Sequence, residues 1–210
     1  MQKAAFGCLG VIILVVLVVA VMAISSYNGL VSASQAVDGK WADVQAQYQR
    51  RADLIPNLVQ TVQGAANFEK STLTAVTDAR ASVGQVKIDT HQAPVDQATL
   101  NQYQAAQAQM GSALSRLIAV AENYPNLKSN ESFLGLQTQL EGTENRIAVS
   151  RKDFNDAVQD FNTRVRRFPA VLIAGAMGFQ PKAYFQADAG AEKAPKVNFD
   201  FSGSATAPAH

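Results

Sequence analysis

The stretch FLGLQTQLEGTENRIAVSRKDFNDAVQDFNTRVRRF, residues 133–168, decides the fold. Within it Phe133, Leu140, Ile147, Phe154, Phe161 and Phe168 recur every seven residues, with Leu136, Val158 and Val165 at the neighbouring seam positions. Apolar residues returning at that interval stay on one face of an α-helix, so the spacing predicts one long helix of coiled-coil grade. Burying each Phe, Leu or Ile contributes about 1.5–3 kcal/mol, enough for one such stripe to organise antiparallel helices around it. Pro169 lacks the backbone N–H that would continue the ladder and closes the helix.

Upstream, Leu100, Tyr103, Met110, Leu114, Leu117 and Ala121 mark another helical stripe, stopped by the turn chemistry of Asn123, Tyr124, Pro125 and Asn126. Pro94 before Val95 and Asp96 is a helix-start signal, and residues 84–94, with Asp89, Thr90 and His91 and no apolar period, form a connection. Earlier still, Val37, Trp41, Val44 and Tyr48 share one helical face, resumed by Ile55, Leu58, Val59 and Val62 and then by Leu73, Val76 and Val83. Pro56 interrupts that face. An interior proline costs about 3 kcal/mol or more, so a kink or break is expected there.

From Ala4 to Ile24 every side chain is apolar, small or a thiol. About 21 residues make ~31 Å of helix, which matches the ~30 Å hydrocarbon core and predicts a transmembrane anchor with residues 4–24 in the lipid bilayer. A cleaved signal is the competing reading, with Lys3 as a minimal charged start and Ala23 before a cut, but the apolar run is too long and unbroken for one. Cys8 sits ahead of the main apolar run, the wrong order for a lipoprotein signal. It is the chain's single cysteine, so no intrachain disulfide forms. Tyr27 falls where an interfacial aromatic would sit.

The nearest positive charge is Lys3, which places the N-terminus in the cytoplasm and the following domain on the periplasmic or extracellular side of the cell (inner) membrane. Arg50 and Arg51 argue the reverse when the window is widened. The chain thus divides into an anchor at 1–27, an all-α bundle domain at 28–187 and a tail at 188–210, rich in Gly, Ala, Pro and Ser and expected to be disordered.

Eighteen Lys and Arg against seventeen Asp and Glu give a net charge of +1, so no polyanionic partner such as nucleic acid is implied. The two histidines, His91 in a connection and His210 at the end of the sequence, have no orienting carboxylate nearby. Phosphate loops, zinc helices and serine elbows are absent as motifs, and neither a cofactor nor a small-molecule substrate is implied. Glu141 with Glu144 is the one carboxylate pair that an acid–base enzyme would use.

A structural role fits those charges better. Glu144 and Arg151 occupy seam positions beside Glu141, Asn145 and Arg146, and the segment around Pro56 offers Arg50, Arg51, Asp53 and Asn57. These nine residues are expected to form a polar layer joining the two regions, against the alternative of a solvated helix face. From residue 170 to 179 the chain is apolar and too short to span a bilayer. Ala170, Val171, Leu172, Ile173, Met177 and Phe179 are therefore expected either to close over the chain's own core or to receive a protein partner, self-docking being the commoner outcome.

Taken together, Tyr27-Asn28-Gly29-Leu30-Val31, Trp41-Ala42-Asp43-Val44 and residues 47–59 (QYQRRADLIPNLV) resemble the bacterial LemA family. Glu122 to Lys128 (ENYPNLK), Leu140 to Ala148 (LEGTENRIA), Phe168-Pro169 and Gly178-Phe179 follow in the same order, so the likeness covers nearly all of the chain before residue 188. Gly142 departs from the pattern expected of a helix interior. The resemblance implies an antiparallel up-and-down four-helix bundle on a single membrane anchor, with Pro56 dividing two of the helices, and no established activity. It also implies a neighbourhood of membrane proteases and other envelope proteins. The expected function is accordingly a membrane-anchored scaffold or interaction protein, with a homo-oligomeric membrane assembly and an enzyme as alternatives.

Overall fold

A computed structural model describes residues 2–64, 69–89 and 91–187, with side chains from Gly10 onward. The Cys8 side chain and the 188–210 tail lie outside the described residues. All described secondary structure is helical: α1 (Gln2–Gln63), α2 (Lys70–Gln85), α3 (Gln97–Ala121), α4 (Pro125–Lys128), α5 (Glu131–Arg166) and α6 (Val171–Ala174).

Helix α1 is 62 residues long, about 93 Å at 1.5 Å per residue. Its first part holds the described apolar run, with Val11 to Met22 and Ile24 all exposed in the isolated chain. Among the described residues it is the one helix long and apolar enough to cross a membrane. Its second part turns Leu30, Val37, Trp41, Val44 and Tyr48, and then Ile55, Leu58 and Val62, into the core.

Pro56 does not divide two helices, because α1 continues through it to Gln63. Pro56 lies on the exposed face, while Leu54, Ile55 and Leu58 on either side of it are buried. The lost hydrogen bond falls toward solvent, and packing on the opposite face carries the rod across the gap. The first helix boundary comes instead between Gln63 and Lys70.

Helix α5 runs antiparallel along α1, since Lys40 meets Asp153 and Arg51 meets Glu144. Helices α2 and α3 form a second antiparallel pair beside them. Val76 shares a cluster with Leu114, Leu117 and Ala121 near one end, whereas Val86 and Ile88 join Leu100 and Tyr103 near the other. Asp96 caps α3 by accepting the N–H groups of Ala98 (3.1 Å) and Thr99 (2.9 Å). The Thr99 hydroxyl above all, and these amides with it, hold the Asp96 carboxyl below the usual carboxylate range. Asn130 caps α5 through the N–H of Phe133, and Pro125 opens α4 at a position where no N–H is needed.

Two apolar clusters result. The one distal to the anchor joins Leu54, Ile55, Leu58 and Val62 to Met110, Leu117, Leu127, Phe133 and Leu140. The one nearer the anchor centres on Trp41, which is fully buried. Its ring lies 5.5 Å from Phe154, 5.9 Å from Tyr103 and 6.1 Å from Phe185, and its indole N–H donates to the Asp89 carbonyl at 3.1 Å. Phe168 does not join the stripe of α5, for the helix ends at Arg166 and the side chain is left exposed.

Trp41 therefore ties α1, α3, α5 and the chain after α6 together. Trp41→Ala is predicted to lower stability by about 3–5 kcal/mol, measured by denaturant titration of helical circular dichroism in detergent. A loss below 1 kcal/mol would contradict this account of the core.

Candidate functional site

Beyond α6 the chain is extended from Gln180 to Ala187, with Lys182, Ala183 and Phe185 buried. An extended segment makes no hydrogen bonds within itself, so its buried N–H and C=O groups need outside partners. Helix side chains supply them. Asn162 accepts the Lys182 N–H at 2.8 Å and donates to the Lys182 carbonyl at 2.9 Å. Asn155 does the same for Phe185, at 2.9 Å in both directions. From α3, Gln97 accepts the Tyr184 N–H at 3.2 Å and donates to its carbonyl at 2.8 Å, and Gln104 donates to the Gln186 carbonyl at 2.8 Å.

A primary amide carries a donor and an acceptor side by side, as the edge of a neighbouring strand would. The spacing matches as well. Seven helical residues, from Asn155 to Asn162, rise about 10.5 Å, and three extended residues, from Lys182 to Phe185, span about 10 Å. Two asparagines one heptad apart on one helix thus reach two peptides three residues apart in the segment, both turned toward that helix.

Charges reinforce this clasp. The Lys182 ammonium pairs with Asp38 at 2.6 Å, both largely buried, and lies 5.6 Å from the Phe161 ring centre. Asp38 also accepts the Ala93 N–H at 2.9 Å, and Ala183 donates to the Pro94 carbonyl at 3.1 Å, so the connection before α3 is fixed to the same place. Arg151 sets its guanidinium 4.8 Å from the Phe185 ring centre and donates to the Gln186 carbonyl at 3.2 Å.

Farther from the anchor lies the polar layer. Arg51, with its side chain 3% exposed, donates to Glu144 at 2.7 Å, to the Gln107 carbonyl at 3.0 Å and to the Gln107 side-chain oxygen. Its Nε is buried without a hydrogen-bond partner. The guanidinium lies 5.3 Å from the ring centre of Tyr48. Burial pushes the Tyr48 phenol up to about 12, overriding the opposite pull of Arg151 and Arg51, so the ring stays neutral at any physiological pH. Glu144 is 46% exposed on its side chain, so solvent screens its pairing and Gln107 does much of the satisfying.

The other expected members of the layer do not enter it. Arg50, Asp53, Asn57, Asn145 and Arg146 are exposed, with Asp53 accepting from Gln49 on its own helix. Successive helical residues turn by about 100°, so an inward Arg51 sends Arg50 outward, and the same rule disperses the neighbours of Glu144. Glu141 is exposed and accepts from Gln137 at 3.1 Å, while Glu144 faces Arg51, so the two carboxylates form no buried acid–base pair. Arg151 serves the clasp. Gln107 was not singled out in the sequence, and neither were Asn155, Asn162, Gln97 and Gln104. Amide side chains one heptad apart on two helices were the available signal.

The apolar segment after α5 is divided. Ala170 and Ala174 are buried and Ile173 and Phe179 half-buried, with the Phe179 ring 5.8 Å from Tyr27 and 6.4 Å from Phe161. Val171, Leu172 and Met177 are exposed. Around the clasp a cleft of about 570 Å³ is lined by Asp38, His91, Phe161, Phe179 and Lys182 among others. Among the described residues, no group of three His, Cys, Asp or Glu is placed to hold a metal ion.

A long helix with a lipid-length apolar run, packed into a helical domain whose buried polar groups join its own segments, defines a membrane-associated helical protein. The chain belongs to the LemA family, whose model matches residues 40–199. It is similar to the magnetosome protein MamQ 2 of Paramagnetospirillum magneticum, 29% identical in an alignment 175 positions long that covers 76% of this chain and 64% of that one. It is also similar to MamQ of Magnetospirillum gryphiswaldense, 27% identical over 84% of this chain and 71% of that one. Protein LemA of Metamycoplasma hominis is 24% identical over 76% of this chain and 68% of its own length. The chain thus spans 64% of the length of the Paramagnetospirillum relative.

Asn162→Ala is predicted to leave the Lys182 N–H and carbonyl unpaired, at about 1–3 kcal/mol for each buried group. Limited proteolysis would then cut between Gln180 and Ala187 well before the helices unfold. Cleavage no faster than in the wild-type chain would contradict the clasp.

Proposed function

We propose that the protein is a membrane-anchored helical scaffold. Helix α1 holds it in the inner membrane with the bundle on the periplasmic or extracellular side, and the bundle engages envelope proteins, membrane proteases among them, without performing a reaction itself. The observation that carries this reading is the engagement of buried polar side chains within the chain. Arg51, Gln107, Asn162 and Lys182 each bind another segment of the same fold, so their chemistry serves shape. The continuity of α1 supports the anchoring half of the reading, since the exposed run from Val11 to Ile24 leads without interruption into the core. Lys3, as the nearest positive charge, supports the sidedness. None of the relatives' names states a reaction.

Photo-crosslinking in living cells from Val149, an exposed apolar residue of α5, tests the proposal. The expected product is an adduct with a distinct envelope protein, recovered with the membranes. Adducts of this chain with itself alone would replace the scaffold by a homo-oligomeric assembly. An adduct with a cytoplasmic protein would reverse the sidedness.

A further inference from the structure

The antiparallel register of α1 and α5 sets the height of the segment that follows α5. With Lys40 opposite Asp153 and Arg51 opposite Glu144, the end of α5 at Arg166 comes level with Tyr27 to Gly29. Tyr27 lies a few residues beyond the exposed apolar run that ends at Ile24, and its ring meets Phe179. The chain from Arg167 to Phe179 therefore sits at the level where the anchor leaves the hydrocarbon.

One side of that segment is docked, and the other is bare. Phe168 is 70% exposed and Leu172 71%, with Val171 and Met177 about half exposed at 49% and 50%. Four large apolar side chains left in solvent within ten residues are costly for a soluble surface, particularly when Ala170, Ala174 and Phe179 of the same turn already pack on the bundle. Two exposed cations, Arg166 and Arg167, immediately precede them. Apolar side chains beside arginines, level with the end of the anchor's apolar run, have the chemistry of an interfacial membrane contact.

We propose that this turn is a second foothold on the bilayer that α1 crosses. Phe168, Val171, Leu172 and Met177 enter the boundary between headgroups and acyl chains, and Arg166 and Arg167 bind the phosphates of anionic phospholipids. A lone transmembrane helix leaves a domain free to rotate about the helix axis. A second contact off that axis fixes which face of the bundle is turned toward the membrane and which faces are presented to partners. The inference rests on α1 spanning the bilayer, as proposed above.

The test uses the full chain with Cys8→Ser, reconstituted into vesicles of phosphatidylglycerol and phosphatidylcholine. A single environment-sensitive fluorophore is placed by Leu172→Cys, Leu17→Cys or Asn126→Cys. Quenching is measured with lipids carrying a nitroxide near the top of the acyl chain, and with aqueous iodide. Leu172 is exposed, so its replacement leaves the fold intact. The expected result is a loss of fluorescence to lipid nitroxide at positions 172 and 17 and none at 126. The Arg166→Gln, Arg167→Gln pair should lessen the loss at 172 alone, and only where phosphatidylglycerol is present. Quenching at 17 without quenching at 172 would overturn the foothold and leave the anchor standing. No lipid quenching at either position would overturn both. Shielding of 172 from lipid and iodide alike would mean that protein covers the turn, and would equally overturn the proposal.

Discussion

One rod carries two kinds of surface. Helix α1 presents Val11 to Ile24 in its first part and buries Leu30, Val37, Trp41 and Val44 in its second, with no interruption between them. Anchor and core helix are therefore a single mechanical element. The bundle is built onto the second part of that element, chiefly through the antiparallel contact with α5, and its distance from the apolar run follows from the rod. Packing against Phe154, Val158 and Phe161 holds the near part. The distal cluster, with Ile55, Leu58 and Val62, keeps the helix going past Pro56, where local hydrogen bonding alone would let it stop.

On this frame the polar interactions act as joints. The pairing of Arg51 with Glu144 and Gln107 links α1 to α5 and α3 between the two apolar clusters. Asp38 and Lys182 bring the connection before α3 and the last extended segment to the same point of α1. The amide pairs of Asn155 and Asn162 then let an extended segment lie along helices, which ordinarily offer no backbone groups to a neighbour. Phe185, fixed by that clasp, closes the aromatic cluster around Trp41 and Phe154. Loss of the clasp would expose the near core while leaving the distal cluster whole.

Much of this was legible from residue spacing. The seven-residue spacing from Phe133 to Phe161 marked the buried face of α5, and the turn at Tyr124 and Pro125 marked the end of α3, because apolar periodicity and proline chemistry act locally. Phe168 kept the period but lost its burial, since the helix ends at Arg166 and periodicity says nothing beyond an end. The division into two helices at Pro56 failed for the opposite reason: tertiary packing outweighed a local breaker. Of the nine residues expected in a polar layer, Arg51 and Glu144 meet, whereas charge alone did not reveal which face each of the others occupies. Gln107 and the clasping amides were hidden because uncharged polar residues on a helix read as surface until the group they hold, Arg51 or the segment after α6, is in place. Gly142 sits within α5 with open space where a side chain would project, and the structure gives no packing reason for it.

The claim on which the rest depends is that α1 passes from lipid into the bundle as one unbroken helix. Hydrogen–deuterium exchange of the full chain in lipid nanodiscs, followed peptide by peptide, tests it most directly. Protection continuous from Val21 through Val37 and again across Ile55 to Val62 is the predicted result. A fast-exchanging stretch at Ser25 to Gly29, flanked by protected peptides on both sides, would show a hinge between anchor and bundle and contradict the account.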